Sequence, residues 1–154
     1  MTVDHVRAVE ALIFRYAELV DAGDFEGVAD LLADATVGGL EDPGGVHGRE
    51  AVARLFHTTT IRHDDGTPRT KHVTTNVVVD VDEAAGTASA RAYFTVLQAL
   101  PGMALQPIVA GRYRDTFALG PGGWRFTERR FGVDLVGDVS RHLAAQALGG
   151  GRPS

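Results

Sequence analysis

A chain of 154 residues with 44% hydrophobic and 23% charged residues has the composition of a folded globular protein, which excludes global disorder. Its formal charge of −5, without a cluster of basic residues, argues against nucleic acid and anionic membranes as partners. Cysteine is absent, so disulfides, thiol nucleophiles and thiolate metal ligands are excluded. Histidines and carboxylates must carry any chemistry.

The length fits one domain, which we expect to span residues 1–148. Residues 149–154 are rich in glycine and predict a flexible C-terminal tail. The N-terminal residues lack the basic start and the apolar run of a secretory signal, and no stretch of about 18 apolar residues occurs. A cytoplasmic location is therefore expected.

The first part of the chain predicts helices that each bury one face. Apolar residues recur at spacings of three and four from Val6 to Val20, with Tyr16 on the same stripe, which is the period of an amphipathic helix. Asp4 is a suitable N-cap for this helix and Gly23 a suitable stop. In order, the predicted elements are a helix over about 4–22, a helix over about 24–32, a short strand over 36–40, a helix that opens at 48–50, and a polar loop over 57–68.

The polar loop contains residue types that can bind a metal ion, namely His57, His63, Asp64 and Asp65. Their spacing matches no closed zinc pattern, and a polar connection between two elements often brings such residues together. The sequence therefore predicts no metal site in this loop.

The stretch 69–81 predicts a strand that contains a single histidine. Alternate residues divide into an apolar set, Val73, Val77, Val79 and Val81, and a polar set, Thr70, His72, Thr74 and Asn76. At a side-chain period of two, this pattern predicts one apolar and one polar face. The polar face carries groups that can form hydrogen bonds to a ligand.

The rest of the chain predicts further strands and a closing helix. The predicted elements are strands over about 87–97, 108–119 and 124–136, with turns between them, and a helix over about 139–148 capped by Asp138. Helices followed by consecutive antiparallel strands predict an α+β domain. We expect a strongly curved antiparallel sheet that wraps the N-terminal helices as a cone-shaped barrel with an apolar interior.

Five stretches of the sequence, taken in their order and spacing, form a recognisable set. They are Arg15-Tyr16-Ala17 with Asp21 and the Gly23-Asp24 junction, His47-Gly48-Arg49-Glu50-Ala51, His72-Val73-Thr74-Thr75-Asn76, Gly111-Arg112-Tyr113-Arg114-Asp115, and Gly123-Trp124-Arg125-Phe126 followed by Arg129. This set resembles the nuclear transport factor 2-like superfold and, within it, the SnoaL-like family. This family includes polyketide cyclases, scytalone dehydratase and bile acid dehydratase, and the superfold also contains binding modules and subunits without chemistry. The resemblance covers nearly the whole chain.

The resemblance implies site residues. Tyr16, Asp21 and His72 match the acid/base positions of the dehydratases, and Arg129 matches a basic residue on the last long strand. Bile acid dehydratase has an additional carboxylate on the strand after the histidine strand, and residues 91–95 contain none. The aspartate base of ketosteroid isomerases and the Asp-Arg-Asp set of limonene epoxide hydrolase also have no clear counterpart.

Elimination of water next to a carbonyl, or ring closure by aldol attack, needs a base and a hydrogen-bond donor for the developing charge. We assign His72 as base, Asp21 as the group that orients it, and Tyr16 as donor or acid. No metal and no organic cofactor is required. The residues expected to bind substrate are Asn76, Tyr113 and Arg129. Arg130 neighbours Arg129 on the opposite strand face, so at most one of these two arginines enters the pocket.

Three functions remain open at this point. The leading one is a cofactor-independent dehydratase acting on a hydrophobic cyclic molecule such as a steroid or polyketide. The second is a polyketide cyclase or a ketosteroid-type isomerase that uses the same groups. The third is a small-molecule-binding or accessory subunit without chemistry. Family members generally pair through the broad outer face of the sheet, so a homodimer is expected.

Overall fold

The computed structural model describes residues 2–148, and the predicted tail, 149–154, lies outside the described residues. The elements are α1 (His5–Asp21), α2 (Phe25–Leu31), β1 (Thr36–Gly39), β2 (Val46–His47), α3 (Arg49–Thr59), β3 (Thr70–Asp82), β4 (Thr87–Leu100), β5 (Met103–Gly120), β6 (Gly123–Val136) and α4 (Ala145–Leu148). This composition confirms the predicted α+β class. No helix among residues 2–148 has the length and apolar composition that crossing a bilayer requires.

One six-stranded sheet has the order β2-β1-β6-β5-β4-β3 and curls without closing into a full barrel. The four long strands pair antiparallel, as predicted, but β1 pairs parallel with β6, so the sheet is mixed. The direction of β1 is free to differ because it lies beside a strand far along the chain and no hairpin joins the two. β3 forms one edge of the sheet.

The N-cap and the stop that the sequence predicted for α1 are confirmed. Asp4 accepts a hydrogen bond from the Arg7 amide at 3.0 Å, and Gly23 follows the helix with a φ of 72°. This left-handed conformation favours glycine. The inward stripe of α1 buries Val9, Ile13, Tyr16 and Val20. The helix packs against β3 and β6, so the end that carries Asp21 lies beside the edge strand.

The concave face of the sheet supplies the other side of the core. Along β4 every second residue is buried, beginning with Ala88 and Ala90. Ala88 lies opposite Phe117, whose ring packs on Phe126 with 4.6 Å between ring centroids. Because alanine side chains are small, they leave room for these two rings in the interior of the cone. Larger residues, Phe94 among them, follow towards the other end of the strand.

The histidine strand contains a β-bulge that the alternation did not predict. Pairing between β3 and β4 shifts by one residue after Thr75, so Asn76 and Val77 together oppose Ala92. Asn76 has a φ of 53°, in the left-handed region that asparagine tolerates better than most residues.

Because a bulge adds one residue to a strand, it reverses which parity faces the interior. His72 and Thr74 face inward before the bulge, and Val79 and Val81 face inward after it, whereas Val73 is 41% exposed on the outer face. The prediction of one polar and one apolar face along the whole strand is therefore wrong. The polar residues on the inner face are confined to the half that contains His72.

Two boundaries also differ from the prediction. α3 continues to Thr59, so His57 is helical and the polar loop is shorter than expected. The predicted helix over 139–148 is reduced to α4, because the backbone of residues 142–144 pairs with another part of the chain. Ile61 N donates to His142 O at 2.8 Å, and Ala144 N donates to Thr59 O at 2.9 Å. The segment 137–144 thus lies against the end of α3.

Candidate active site

Asp21 links the end of α1 to the free edge of β3. Its Oδ2 accepts a hydrogen bond from the backbone amide of His72 at 2.8 Å. Its Oδ1 lies 2.6 Å from Nδ1 of His72 and accepts from the Thr70 hydroxyl at 2.9 Å. The side chains of Asp21 and His72 are only 11% and 8% exposed, respectively. The carboxylate therefore gives one edge amide a partner and holds the imidazole in place.

The charge of Asp21 determines the tautomer of His72. Burial raises the pKa of the Asp21 carboxyl, but hydrogen bonds from His72 and Thr70 and the attraction of His72 outweigh burial, and the pKa lies below its ordinary value. An ionised carboxylate only accepts hydrogen bonds, so Nδ1 of His72 carries a proton. Nε2 is then the nitrogen that can take up a further proton, as a general base must.

A second histidine, which sequence reasoning missed, packs against the first. The rings of His72 and His142 lie edge to face, with centroids 6.1 Å apart. His142 is 7% exposed, and its Nδ1 is buried with no hydrogen-bond partner among the described residues. Burial lowers the pKa of His142 to about 4, helped by the nearby His72 and His63, while Asp21 acts in the opposite direction. His142 is therefore neutral at pH 7. A position in a predicted helix, 70 residues beyond His72, offered no local signal for this contact.

Arg129 forms a buried ion pair in the interior of the cone. Its Nε and Nη2 donate to the two carboxylate oxygens of Asp115 at 2.9 and 3.0 Å, and the side chains are 1% and 0% exposed. The remaining nitrogen, Nη1, is buried without a hydrogen-bond partner among the described residues. Burial raises the pKa of Asp115, and Arg129 opposes this rise. Asp115 was part of the family resemblance, but no role was assigned to it.

Two tyrosines enclose the Arg129 guanidinium. Its central carbon lies 4.1 Å from the ring centroid of Tyr16 and 3.8 Å from that of Tyr113. Burial raises the pKa of both phenols above the ordinary value, and Asp115 and Asp21 add to this rise while Arg129 opposes it. Both hydroxyls are therefore protonated at pH 7 and can donate hydrogen bonds.

The structure divides the predicted site residues into two groups that do not share one open pocket. His72 and Asp21 line a surface groove of about 460 Å³ between α1 and β3. Its lining also includes Phe14, Glu18 and Lys71, so it is not the apolar pocket expected from the sequence. Tyr16 does not line this groove but lies in the packed interior with Tyr113 and Arg129.

Asn76 lies apart from both groups. It is exposed at the bulge and lines a different groove, of about 390 Å³, which also includes Tyr93 and Arg112. The bulge breaks the alternation that placed Asn76 on the same face as His72, and the contact of Asn76 with substrate stays a prediction. Of the two neighbouring arginines, Arg129 faces the interior. Arg130 instead donates to the carbonyl oxygens of residues 42 and 44.

Three of the four residues considered as metal ligands contact protein groups. His57 lies 3.0 Å from Glu26, and His63 Nε2 lies 2.9 Å from the carbonyl oxygen of Arg141. Asp65 accepts hydrogen bonds from the amide and the hydroxyl of Thr67. Within residues 2–148, no three histidine, aspartate or glutamate side chains form a group that could hold a metal ion.

Solved structures share this fold. An NTF2-like protein with a cystatin-like fold from Novosphingobium aromaticivorans is 25% identical, with a TM-score of 0.69, over 84% of this chain and 82% of that one. A protein of the same organism provisionally named scytalone dehydratase is 25% identical, with a TM-score of 0.64, over 84% and 83%. A third protein of that organism, provisionally named aromatic ring hydroxylase, is 22% identical, with a TM-score of 0.69, over 92% and 98%, and shows likeness of fold alone.

The sequence itself matches a family model. The match is to the family described as SnoaL-like domain, and it covers residues 1–130, which is most of the chain. The matched range contains α1, the histidine strand and the buried Arg129. The chain belongs to the SnoaL-like domain family.

Proposed function

We propose that the protein is a cofactor-independent lyase that removes water from a hydrophobic cyclic molecule by acid/base chemistry. The observation that carries this proposal is the buried contact between Asp21 and Nδ1 of His72. It leaves Nε2 as a base of fixed orientation, in the tautomer that proton abstraction requires. The name scytalone dehydratase, carried by a protein 25% identical to this chain, agrees with such a reaction.

In the proposed reaction, Nε2 of His72 removes a proton from the carbon next to a ketone, and the electrons of the C–H bond form an enolate. The Tyr16 hydroxyl and Nη1 of Arg129 donate hydrogen bonds to the enolate oxygen, which requires the packed interior around them to open towards the groove that His72 lines. The enolate then forms a carbon–carbon double bond while the C–O bond of the neighbouring hydroxyl breaks. The leaving oxygen takes the proton from the His72 imidazolium and departs as water. Positioned acid/base groups of this kind contribute roughly 10²–10⁴ in rate.

The test uses a hydroxytetralone whose hydroxyl lies β to the ketone, since its loss of water gives a naphthol that is detected by absorbance. We expect wild-type protein to accelerate this loss. His72→Ala should lower the rate by roughly 10²–10⁴, and Asp21→Asn should also lower it because the imidazole tautomer is no longer enforced. His47→Ala is the control, because His47 lies on the exposed strand β2. Equal rates for His72→Ala and wild type would contradict the proposal.

Two other functions use the same residues. A polyketide cyclase or ketosteroid-type isomerase would return a product of unchanged mass or a closed ring, so mass spectrometry of the product distinguishes them from a dehydratase. A binding or accessory subunit is favoured by the dense packing around Tyr16. It would retain the ligand unchanged, and His72→Ala would leave its biological activity intact.

A cytoplasmic location is part of our proposal.

A further inference from the structure

His142 presents a polar atom that the fold leaves unsatisfied. The side chain is buried, and Nδ1 has no hydrogen-bond partner among the described residues. Buried polar atoms are nearly always paired, since an unpaired one forfeits the hydrogen bonds it made to water. The His142 ring packs edge to face with the His72 ring, with centroids 6.1 Å apart, so a group bound at His72 would lie next to the His142 side chain.

The backbone holds the His142 ring in this place. Ile61 N donates to His142 O at 2.8 Å, and His142 N donates to Val139 O at 3.0 Å. The preceding carbonyl, of Arg141, accepts from Gln98 Nε2 at 3.1 Å. These hydrogen bonds hold the backbone at His142 and at the residue before it, so the fold fixes the position of the His142 side chain.

Gln98 supplies a second unsatisfied atom at the same end of the cone. It lies on the inner face of β4 opposite Thr70, two residues from His72. Its Nε2 donates to the carbonyls of Pro68 and Arg141, which fixes the orientation of the amide. Oε1 is then a buried acceptor with no partner among the described residues. A hydroxyl is the ligand group that suits both atoms, because it accepts from Nδ1 in the tautomer that carries a proton there and donates to Oε1.

We propose that His142 is a further substrate-binding residue, whose Nδ1 donates a hydrogen bond to the hydroxyl that the substrate loses as water. This inference rests on the proposed function and names its substrate class more closely. The substrate is a cyclic β-hydroxy ketone, with its ketone at Arg129 and Tyr16, its acidic carbon at His72, and its hydroxyl at His142. Neutral His142 does not compete with His72 for the abstracted proton.

The test compares binding of two small probes by calorimetry. β-Tetralol carries the hydroxyl without a ketone, so this chemistry cannot consume it, and tetralin carries neither group. Wild-type protein should prefer β-tetralol by about fivefold, the effect of one net hydrogen bond. His142→Phe keeps an aromatic ring and should lose the preference. His142→Asn places an amide nitrogen near the position of Nδ1 and should keep it, whereas His142→Gln places one near Nε2 and should not.

A measurement on wild-type protein guards against variants that fail to fold. The ring nitrogen resonances of His142 should shift when β-tetralol is added and stay unchanged with tetralin. The inference would be overturned if wild type and His142→Phe preferred β-tetralol over tetralin equally. It would also be overturned if the His142 resonances did not shift on addition of β-tetralol. If the preference follows His142 but the hydroxytetralone loses no water, the binding site stands and the dehydratase function fails.

Discussion

At the scale of single residues, the Arg129 and Asp115 pair defines the character of the interior. Asp115 balances the charge of Arg129, so the cluster as a whole is neutral although both groups are buried. An additional buried carboxylate would leave the interior with a net negative charge, which is costly in a medium of low dielectric constant. Nη1 therefore suits an uncharged oxygen such as a ketone, and this agrees with the substrate class proposed above.

Removal of one member of this buried pair should lower the free energy of unfolding far more than removal of one member of an exposed pair. Asp115→Ala leaves the Arg129 charge uncompensated and is expected to lower the free energy of unfolding by roughly 3–5 kcal/mol. Asp134→Ala is the matched control, because Asp134 pairs with Arg112 at 3.2 Å with both side chains more than 40% exposed. It should cost less than about 1 kcal/mol.

Urea denaturation monitored by circular dichroism measures both effects. The double variant Asp115→Leu with Arg129→Met should recover much of the loss, because a hydrophobic pair removes both buried charges together. Similar unfolding free energies for Asp115→Ala and Asp134→Ala would show that the interior pair is solvated after all.

At the scale of elements, the β-bulge in β3 decides which side chains reach the site. Without the extra residue, an inward His72 would place the following valines on the solvent face and lose their burial. With it, the strand contributes polar groups near α1 and apolar groups beyond the bulge. The left-handed conformation of Asn76 is the local feature that this arrangement requires.

Substitutions at residue 76 should separate the backbone requirement from any contact with substrate. Asn76→Val forces a β-branched side chain into a left-handed conformation and should destabilise the protein by about 1–2 kcal/mol. Asn76→Gly should cost little, since glycine adopts this conformation freely. Thermal denaturation checks both variants. Equal stability of the two would mean that the bulge relaxes or moves along the strand.

At the scale of the whole molecule, the outer face of the sheet exposes apolar and basic groups together. Tyr93 is 55% exposed and Leu135 is 70% exposed on this face. Arg91 and Arg114 lie directly opposite each other on β4 and β5, and neither forms an ion pair within residues 2–148. Like charges in opposed positions are unfavourable. Asp80, on the exposed side of the same sheet, is a carboxylate that a second copy could bring to them.

We therefore propose a homodimer through this face. Sedimentation at micromolar concentration should give the mass of a dimer. Tyr93→Arg, which adds positive charge to a face that already exposes Arg91 and Arg114, should shift the equilibrium to monomer. Val6→Arg is the control, because Val6 is an exposed apolar residue on α1, at 42% exposure, away from the sheet face. A monomeric wild type would contradict the dimer.

Much of this organisation is visible in the sequence. The α+β class, the extent of α1 with its cap and stop, and the long antiparallel strands follow from patterns within a few residues, and the SnoaL-like resemblance follows from the order and spacing of several short stretches. Periodicity, capping and turn chemistry are properties of neighbouring residues, so the linear order contains them. The resemblance also singled out Asp21 and His72, whose contact spans 51 positions.

Only the tertiary structure decided the rest. It placed His142 against His72, gave Arg129 its partner Asp115, and put Asn76 at a one-residue bulge, in a different groove from His72. The last helix is shorter than predicted, because the backbone of residues 142–144 forms hydrogen bonds with the chain at the end of α3. These outcomes depend on how the sheet curls and where the C-terminal segment lies. Such contacts join residues far apart in the chain, and no local pattern encodes the path that brings them together.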